Sequence, residues 1–279
     1  MRCSLHKSRW IGSIIRKYFF TVLVLLISFA QQHCLAFNKA LMGSNFIIVA
    51  NVPFTDPQII VTLSSARKII ALDGAADKLL DAQIIPDIIM GDFDSINKSK
   101  WGIKEGFDQI TDKSPSYTIR KNNKTILVVP TKDQNFTDLE KAITFCDEHS
   151  SPEILILNAV GGRMDHSLGN IRALRKFHNP ARLLRIRTDT QTLEMAKNDF
   201  SHQTGKDFHI YGDKGDYCGI MAFPDAHIST SGLVYDVTNF HLEFGYNESI
   251  CNSFKTTKAI VTIHKGEALL IYPNPKKMP

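Results

Sequence analysis

Thr125-Ile-Leu-Val-Val129, Thr137-Asp-Leu-Glu-Lys-Ala-Ile-Thr-Phe-Cys-Asp-Glu-His149 and Glu153-Ile-Leu-Ile-Leu157 are the stretch that sets the fold class. The outer pieces are short, nearly continuous apolar runs, the pattern of strands buried on both faces. The middle piece places Leu139, Ile143 and Cys146 on one helical face. It opens with Thr137 and Glu140 at capping-box spacing, so its N-terminus is set by its own side chains.

The same alternation extends on either side. Phe46-Ile-Ile-Val-Ala50, Lys68-Ile-Ile-Ala-Leu72 and Ile88-Ile-Met90 read as strands. Residues 75–83 read as a helix, and Ser167 to Phe177 as another with Leu168, Ile171, Leu174 and Phe177 on its inner side. Apolar strands alternating with helices predict a parallel sheet covered on both faces. Beyond Pro180 the helical period disappears. Arg182-Leu-Leu-Arg-Ile-Arg187 alternates in part, and Gly219-Ile-Met-Ala-Phe223 and Ala259-Ile-Val-Thr-Ile263 read as strands. The last of these is expected to form a hairpin with Ala268-Leu-Leu-Ile-Tyr272 across His264-Lys-Gly-Glu267. The expected organisation is an α/β domain over 42–178, a boundary near His178–Ala181, and an all-β domain over 179–279.

Bulk properties narrow the function. The chain has 279 residues, 43% hydrophobic and 22% charged, ordinary values for a globular protein with a sizeable core. Its formal net charge of +5 is carried by Arg2, Lys7, Arg9, Arg16 and Lys17 within the first 36 residues, which contain no acid. The rest is formally neutral and offers no basic footprint for nucleic acid or an anionic membrane. Residues 1–41 read as an extension outside the fold. The apolar run from Tyr18 to Ala30 and the small-x-small Cys34-Leu-Ala36 fit a secretory signal. The rival reading is a translation start at Met42. Of the five cysteines only Cys146, Cys218 and Cys251 lie in the body, none in a C-x-x-C pair, which argues against a disulfide framework or a zinc site. The ten histidines include no H-E-x-x-H, and neither G-x-x-x-x-G-K-[ST] nor G-x-G-x-x-G occurs.

Four acidic or glycine-rich clusters follow predicted strands, where ligands bind in parallel α/β sheets. Leu72-Asp-Gly-Ala-Ala-Asp77 places Asp73 and the turn-permitting Gly74 after one strand. In Pro86-Asp-Ile-Ile-Met-Gly-Asp-Phe-Asp-Ser95, Asp92 and Asp94 stand two apart, so in extended chain both carboxylates face one cation. Thr131-Lys-Asp-Gln-Asn-Phe-Thr-Asp138 opens a helix whose free N–H groups suit phosphate, with Asp138 as a further metal ligand. Gly161-Gly-Arg-Met-Asp-His-Ser167 offers close backbone approach and the planar fork of Arg163. Bland readings stand beside these: Asp73 and Thr137 as helix caps, Asp92 and Asp94 as a solvated turn, His166 as a helix-start residue. Taken together, the four clusters describe a polyphosphate and magnesium site.

Asp73-Gly-Ala-Ala, Gly91-Asp-Phe-Asp-Ser95, Asp133-Gln-Asn-Phe-Thr-Asp138 and Gly161-Gly-Arg-Met-Asp-His166 resemble, in order, the motifs of the thiamine pyrophosphokinases. Thr230-Ser-Gly-Leu-Val-Tyr235 resembles the family's T-x-G-L-x-[WY] segment. Phe244-Gly245 with Ser249-Ile-Cys-Asn252 resembles its F-G-x-x-x-S-x-S-N segment. The resemblance spans roughly residues 45 to 272. It implies a cytoplasmic homodimer with its active site at the subunit interface, in contrast to the export that a signal at residues 1–36 implies. It also implies an N-terminal α/β catalytic domain that binds nucleotide and magnesium, followed by a C-terminal thiamine-binding β-sandwich. Position by position, it implies Asp92, Asp94 and Asp138 on Mg2+, with Asp73 close by and Asp165 near the transferring group. Gly74, Gln134, Thr137, Gly162 and Arg163 are then at ATP, and Tyr235, Ser249 and Asn252 at thiamine. An aromatic face at Tyr235 suits a thiazolium cation. Departures are Ala75 for a frequent glycine, Cys251 for a common serine and Tyr235 for a common tryptophan. The implied reaction moves the pyrophosphoryl group of ATP to the thiamine hydroxyl, giving thiamine diphosphate and AMP. The rivals are a D-x-D phosphatase of the haloacid-dehalogenase type and a non-catalytic nucleotide or thiamine binder.

Overall fold

A computed structural model describes residues 36–52, 56–103, 116–198 and 204–274. The basic and apolar stretch through Cys34 lies outside them. Residues 36–41 form a short helix, α1, followed by β1 (Phe46–Val49), α2 (Pro57–Leu63), β2 (Lys68–Leu72), α3 (Ala75–Asp81) and β3 (Ile88–Gly91). Then come α4 (Lys98–Trp101), β4 (Tyr117–Lys121), β5 (Lys124–Pro130), α5 (Asp138–Glu148), β6 (Glu153–Leu157) and α6 (Met164–Lys176). The rest is strand: β7 (Leu183–Arg187), β8 (Gln191–Asn198), β9 (Lys206–Tyr211), β10 (Tyr217–Ser231), β11 (Phe240–Glu243), β12 (Ser249–Ser253) and β13 (Lys258–Pro273).

The first half is a parallel sheet in the order β7-β6-β1-β2-β3-β5, with β4 antiparallel at its edge. The apolar runs are buried on both sides because helices cover both. Leu139, Ile143, Ala173 and Leu174 of α5 and α6 pack on one face with Phe46, Ile48 and Ile156. Ile60, Leu63, Ala75 and Leu79 of α2 and α3 pack on the other with Ile47, Val49 and Leu155. The chain runs outward from β1 to β5, then returns over α5 to β6 on the opposite flank of β1. That reversal opens a crevice beyond the carboxyl ends of β1 and β6. The capping box of α5 forms as expected: Glu140 N–H donates to Thr137 Oγ1 at 3.2 Å, and Thr137 N–H to Glu140 Oε2 at 3.1 Å.

The second half is an antiparallel sheet folded over its own core of Ile220, Ile228, Phe254, Val261 and Leu270. β10 and β13 belong to both layers. The N-terminal half of β13 pairs with β9, and its C-terminal half with β8. β10 pairs with β12 early and β11 late, with register shifts between Ala222 and Ala226 and between His227 and Ile228 where it bends. This matches the α/β-then-β-sandwich class, and no helix follows Lys176 among the described residues.

Four details depart from the expectations. The hairpin across His264–Glu267 does not form. Gly266, at φ +80°, lets β13 bend and continue, and a Cβ there would sit 2.2 Å from the Asp225 carbonyl oxygen. Residues excluded from the fold take part in it: Leu41 is 1% exposed in the core and Phe37 packs against it. α6 begins at Met164 and turns Ser167, Ala173 and Leu174 inward, while Leu168 is exposed. The parallel ladder also continues past residue 178 through β7, where Leu157 pairs with Arg187.

Candidate active site

The carboxyl end of the parallel sheet collects the acidic motifs. β2 ends at Leu72 and β3 at Gly91, which pair within one register of each other, so Asp73 and Asp92 emerge side by side. Gly91, at φ +152°, is held to glycine by proximity: a Cβ there would lie 3.1 Å from that of Asp73. Gly74 has ordinary helical φ, so it is not the turn residue the motif suggests. The left-handed residue is Asp73 itself, at φ +43°. A Cβ at Gly74 would meet only the tip of the exposed Asn51 amide, at 2.7 Å, which that side chain can yield by turning.

Asp73, Asp92 and Asp94 each bring a carboxylate oxygen within 4.8 Å of the others. Their spacing is fixed by backbone donors and by Phe93, which is fully buried and left-handed at φ +62°. Asp73 accepts from Ser95 N–H at 3.0 Å and Ile96 N–H at 3.1 Å, tying the loop after β3 to β2. Asp77 anchors the next turn, accepting from Asn97 N–H at 2.6 Å and Trp101 Nε1 at 2.8 Å. Burial, aided by a hydrogen bond with Asp94, raises the Asp73 carboxyl from 3.8 to about 6. Hydrogen bonds from Ser95 and then Asp73 lower that of Asp94. The two share a proton more readily than either would alone.

Asp138 lies outside this trio. It heads α5, where Lys141 donates to its Oδ1 at 3.1 Å and also to the Thr131 carbonyl at 3.2 Å. Burial raises its pKa; Lys141 opposes that, and the negative charges of Asp92 and Asp94 add to it. Asp138 therefore feels the negative charge of Asp92 and Asp94 while Lys141 pairs with it. Gln134 reaches the trio directly, donating to Asp92 Oδ2 at 3.3 Å. Thr137 is spent on its cap.

The Gly161-Gly162 turn follows β6, and Ser167 holds it by donating to the Gly161 carbonyl at 3.1 Å. Arg163 and Asp165 are exposed and paired with each other, Arg163 Nε to Asp165 Oδ1 at 3.1 Å, and that contact lowers the Asp165 carboxyl to about 2. The arginine fork is thus held at the crevice mouth, open to solvent.

The second-half residues gather elsewhere. Tyr235, Ser249, Cys251 and Asn252 line a cavity of about 360 Å³ with Phe240 and Glu248, and no acidic-cleft residue contributes to its wall. Asn252 is buried and committed to the frame. Its Oδ1 accepts from Tyr235 N–H at 3.1 Å, and its Nδ2 donates to the Tyr235 carbonyl at 3.0 Å and to Ser249 Oγ at 3.2 Å. It therefore fixes the backbone that presents Tyr235. Sequence reasoning missed Lys141, whose signal was its i,i+3 spacing from Asp138, and Glu248, which had none.

Residues 61–184 match the family model described as Thiamin pyrophosphokinase, catalytic domain, and residues 206–270 that described as Thiamin pyrophosphokinase, vitamin B1 binding domain. Thiamine pyrophosphokinase 2 of Arabidopsis thaliana is 29% identical over 200 residues, covering 66% of this chain and 64% of that protein. Thiamin pyrophosphokinase 1 of Caenorhabditis elegans is 27% identical over 220 residues, covering 75% of this chain and 79% of its own. The chain thus spans just under two thirds of the Arabidopsis relative. The thiamine pyrophosphokinase structure from Bacillus subtilis superposes with a TM-score of 0.63 at 24% identity, over 83% of this chain and 99% of that one. That from Candida albicans gives 0.65 at 19%, over 84% and 90%. These structural likenesses establish the fold.

Proposed function

Because the chain belongs to the thiamin pyrophosphokinase family, we propose that it transfers the pyrophosphoryl group of ATP to the hydroxyl of thiamine, giving thiamine diphosphate and AMP. The observation that carries this reading is the convergence of Asp73, Asp92 and Asp94 at the carboxyl edge of the sheet. Three carboxylate oxygens within 4.8 Å of one another are a hard donor set, which fits Mg2+. The oxygens of Asp92 and Asp94, with Asp73, would hold the metal. Asp138 would contribute from α5 once Lys141 turns to the phosphates. The bound metal would neutralise charge on the triphosphate.

The remaining chemistry belongs to the chain. The N-terminus of α5, the Gly161-Gly162 turn and Arg163 bind and align phosphate oxygens; Gln134 orients Asp92. The thiamine hydroxyl oxygen bonds to the β-phosphorus as the bond from that phosphorus to the oxygen bridging the α-phosphate breaks. AMP leaves with the bridging oxygen, and the hydroxyl proton passes to a carboxylate of the cleft. Positioning and charge neutralisation supply the catalysis. The cavity of the second half takes thiamine. Tyr235 and Ile250 of its wall, and Tyr246 next in the chain to the lining Asn247, are 69%, 60% and 85% exposed, a surface suited to a second copy of the chain that brings cleft and cavity together. We place this activity in the cytoplasm.

The test incubates purified chain with ATP, magnesium and thiamine and follows AMP and thiamine diphosphate. AMP is expected only when thiamine is present. Asp94→Asn should lower turnover by roughly 10²–10³-fold with unchanged far-UV circular dichroism. Thiamine-independent phosphate release would favour the phosphatase reading, and binding of thiamine without turnover the non-catalytic one.

A further inference from the structure

The wall of the second-half cavity includes one carboxylate, that of Glu248. Glu248 sits one residue before β12 and lines the cavity with Tyr235 and Phe240. Its Oε2 accepts the N–H of Ala222 at 3.0 Å. Ala222 falls on β10 between its register with β12, which ends at Ile220, and its register with β11, which begins at Asp225. Neither strand reaches it there, so the carboxylate takes the place of a ladder partner and is fixed by that contact. The other oxygen, Oε1, is buried and has no hydrogen-bond partner. Among the described residues Glu248 forms no ion pair.

A carboxylate oxygen removed from water without a partner is costly, and a cation nearby offsets that cost. Tyr235 and Phe240 also line the cavity, and an aromatic face presents negative potential to a cation. Both lining amides are committed: Asn252 holds the Tyr235 backbone and donates to Ser249 Oγ, and Asn247 bonds the Glu243 N–H and the His241 carbonyl. Glu248 is the one charged side chain of the lining, and its Oε1 has no hydrogen-bond partner. We infer that Glu248 is the charge-recognising residue of this cavity, the counter-ion for a cationic ring, and that it selects cationic over neutral ligands of the same shape. The inference rests on the thiamine reading, since thiamine supplies a thiazolium cation, and it assigns the selectivity to a residue outside the motifs that define the family resemblance.

The substitution that isolates this role is Glu248→Gln, which keeps an oxygen to accept from Ala222 and removes only the charge. Titration calorimetry on the full chain compares thiamine with its neutral thiophene isostere. Wild type should prefer thiamine, and the variant should bind thiamine roughly tenfold more weakly while binding the isostere as before. In steady-state assays the KM for thiamine should rise by the same factor with kcat unchanged. Equal weakening of both ligands would reduce Glu248 to a structural prop and overturn the inference, as would a variant that matches wild type. Wild type that binds neither ligand would overturn the thiamine reading itself, a result distinguishable from failure of the Glu248 role alone.

Discussion

The proton shared by Asp73 and Asp94 makes stability depend on pH in a direction opposite to that of most carboxylates. Asp73 is 5% exposed, and its carboxyl is raised from 3.8 to about 6, chiefly by burial. The native state therefore holds this proton more tightly than the unfolded chain does. The resulting stabilisation is fully present below pH 3.8 and is lost as pH rises through about 6. At 1.36 kcal/mol per pKa unit the full loss amounts to about 3 kcal/mol, of which about 2 kcal/mol falls between pH 4 and 7, while the lowered pKa of Asp94 acts in the opposite direction. The perturbation is Asp73→Asn, whose amide oxygen still accepts from the loop after β3 but does not titrate. Urea unfolding of both proteins from pH 4 to 7, without divalent ions, gives the comparison. Wild type should lose about 2 kcal/mol relative to the variant across that range; any fixed difference from the altered hydrogen bonds cancels in the slope. Magnesium added at pH 7 should restore wild type more than at pH 5, because the ion competes with the proton, and should restore the variant less. A flat difference between the two proteins, or equal stabilisation by magnesium at both pH values, would refute the reasoning.

Two other substitutions test how the frame is held. Leu41→Ala should cost about 2–4 kcal/mol in chemical denaturation, because the side chain is 1% exposed against the core; a loss under about 0.5 kcal/mol would place α1 outside the cooperative unit. Gly266→Ala should destabilise by about 3 kcal/mol or more through its positive φ and the clash with the Asp225 carbonyl, and near-native stability would mean that β13 does not need its bend.

The α/β half was readable because burial on both faces leaves little choice of residue. Phe46–Val49, Lys68–Leu72 and Glu153–Leu157 are apolar throughout the core and stand out without reference to their partners. The second half follows a different rule. β9 alternates partly buried and exposed positions, and β12 is Ser-Ile-Cys-Asn-Ser, sequences whose strand character comes from the neighbour they pair with. The bend in β13 misled for a related reason. Lys265-Gly266 between two apolar runs has the composition of a hairpin turn, and only the approach of β10 behind it makes the chain continue instead. Local pattern reports which residues favour a turn; whether the strand reverses depends on what lies across the sheet.

The candidate site divides along the same line. That Asp73, Asp92, Asp94 and Asp138 would meet at one edge follows from their positions after strands, because a parallel sheet brings all such ends together. Which of them form the tight trio does not follow. It depends on adjacency of β2 and β3, on the absence of a Cβ at Gly91, which would lie 3.1 Å from that of Asp73, and on the place of Asp138 at the head of α5, where Lys141 pairs with it. Spacing in the chain identifies the carboxylates able to share a cation, whereas packing distributes the charge among them. The Asp138–Lys141 pair therefore bears on the proposed function: the lysine neutralises one acid at the head of α5, the helix whose N-terminus is proposed to bind phosphate. A triphosphate that attracts Lys141 away frees Asp138 for the metal, so nucleotide and metal should each strengthen the other's binding.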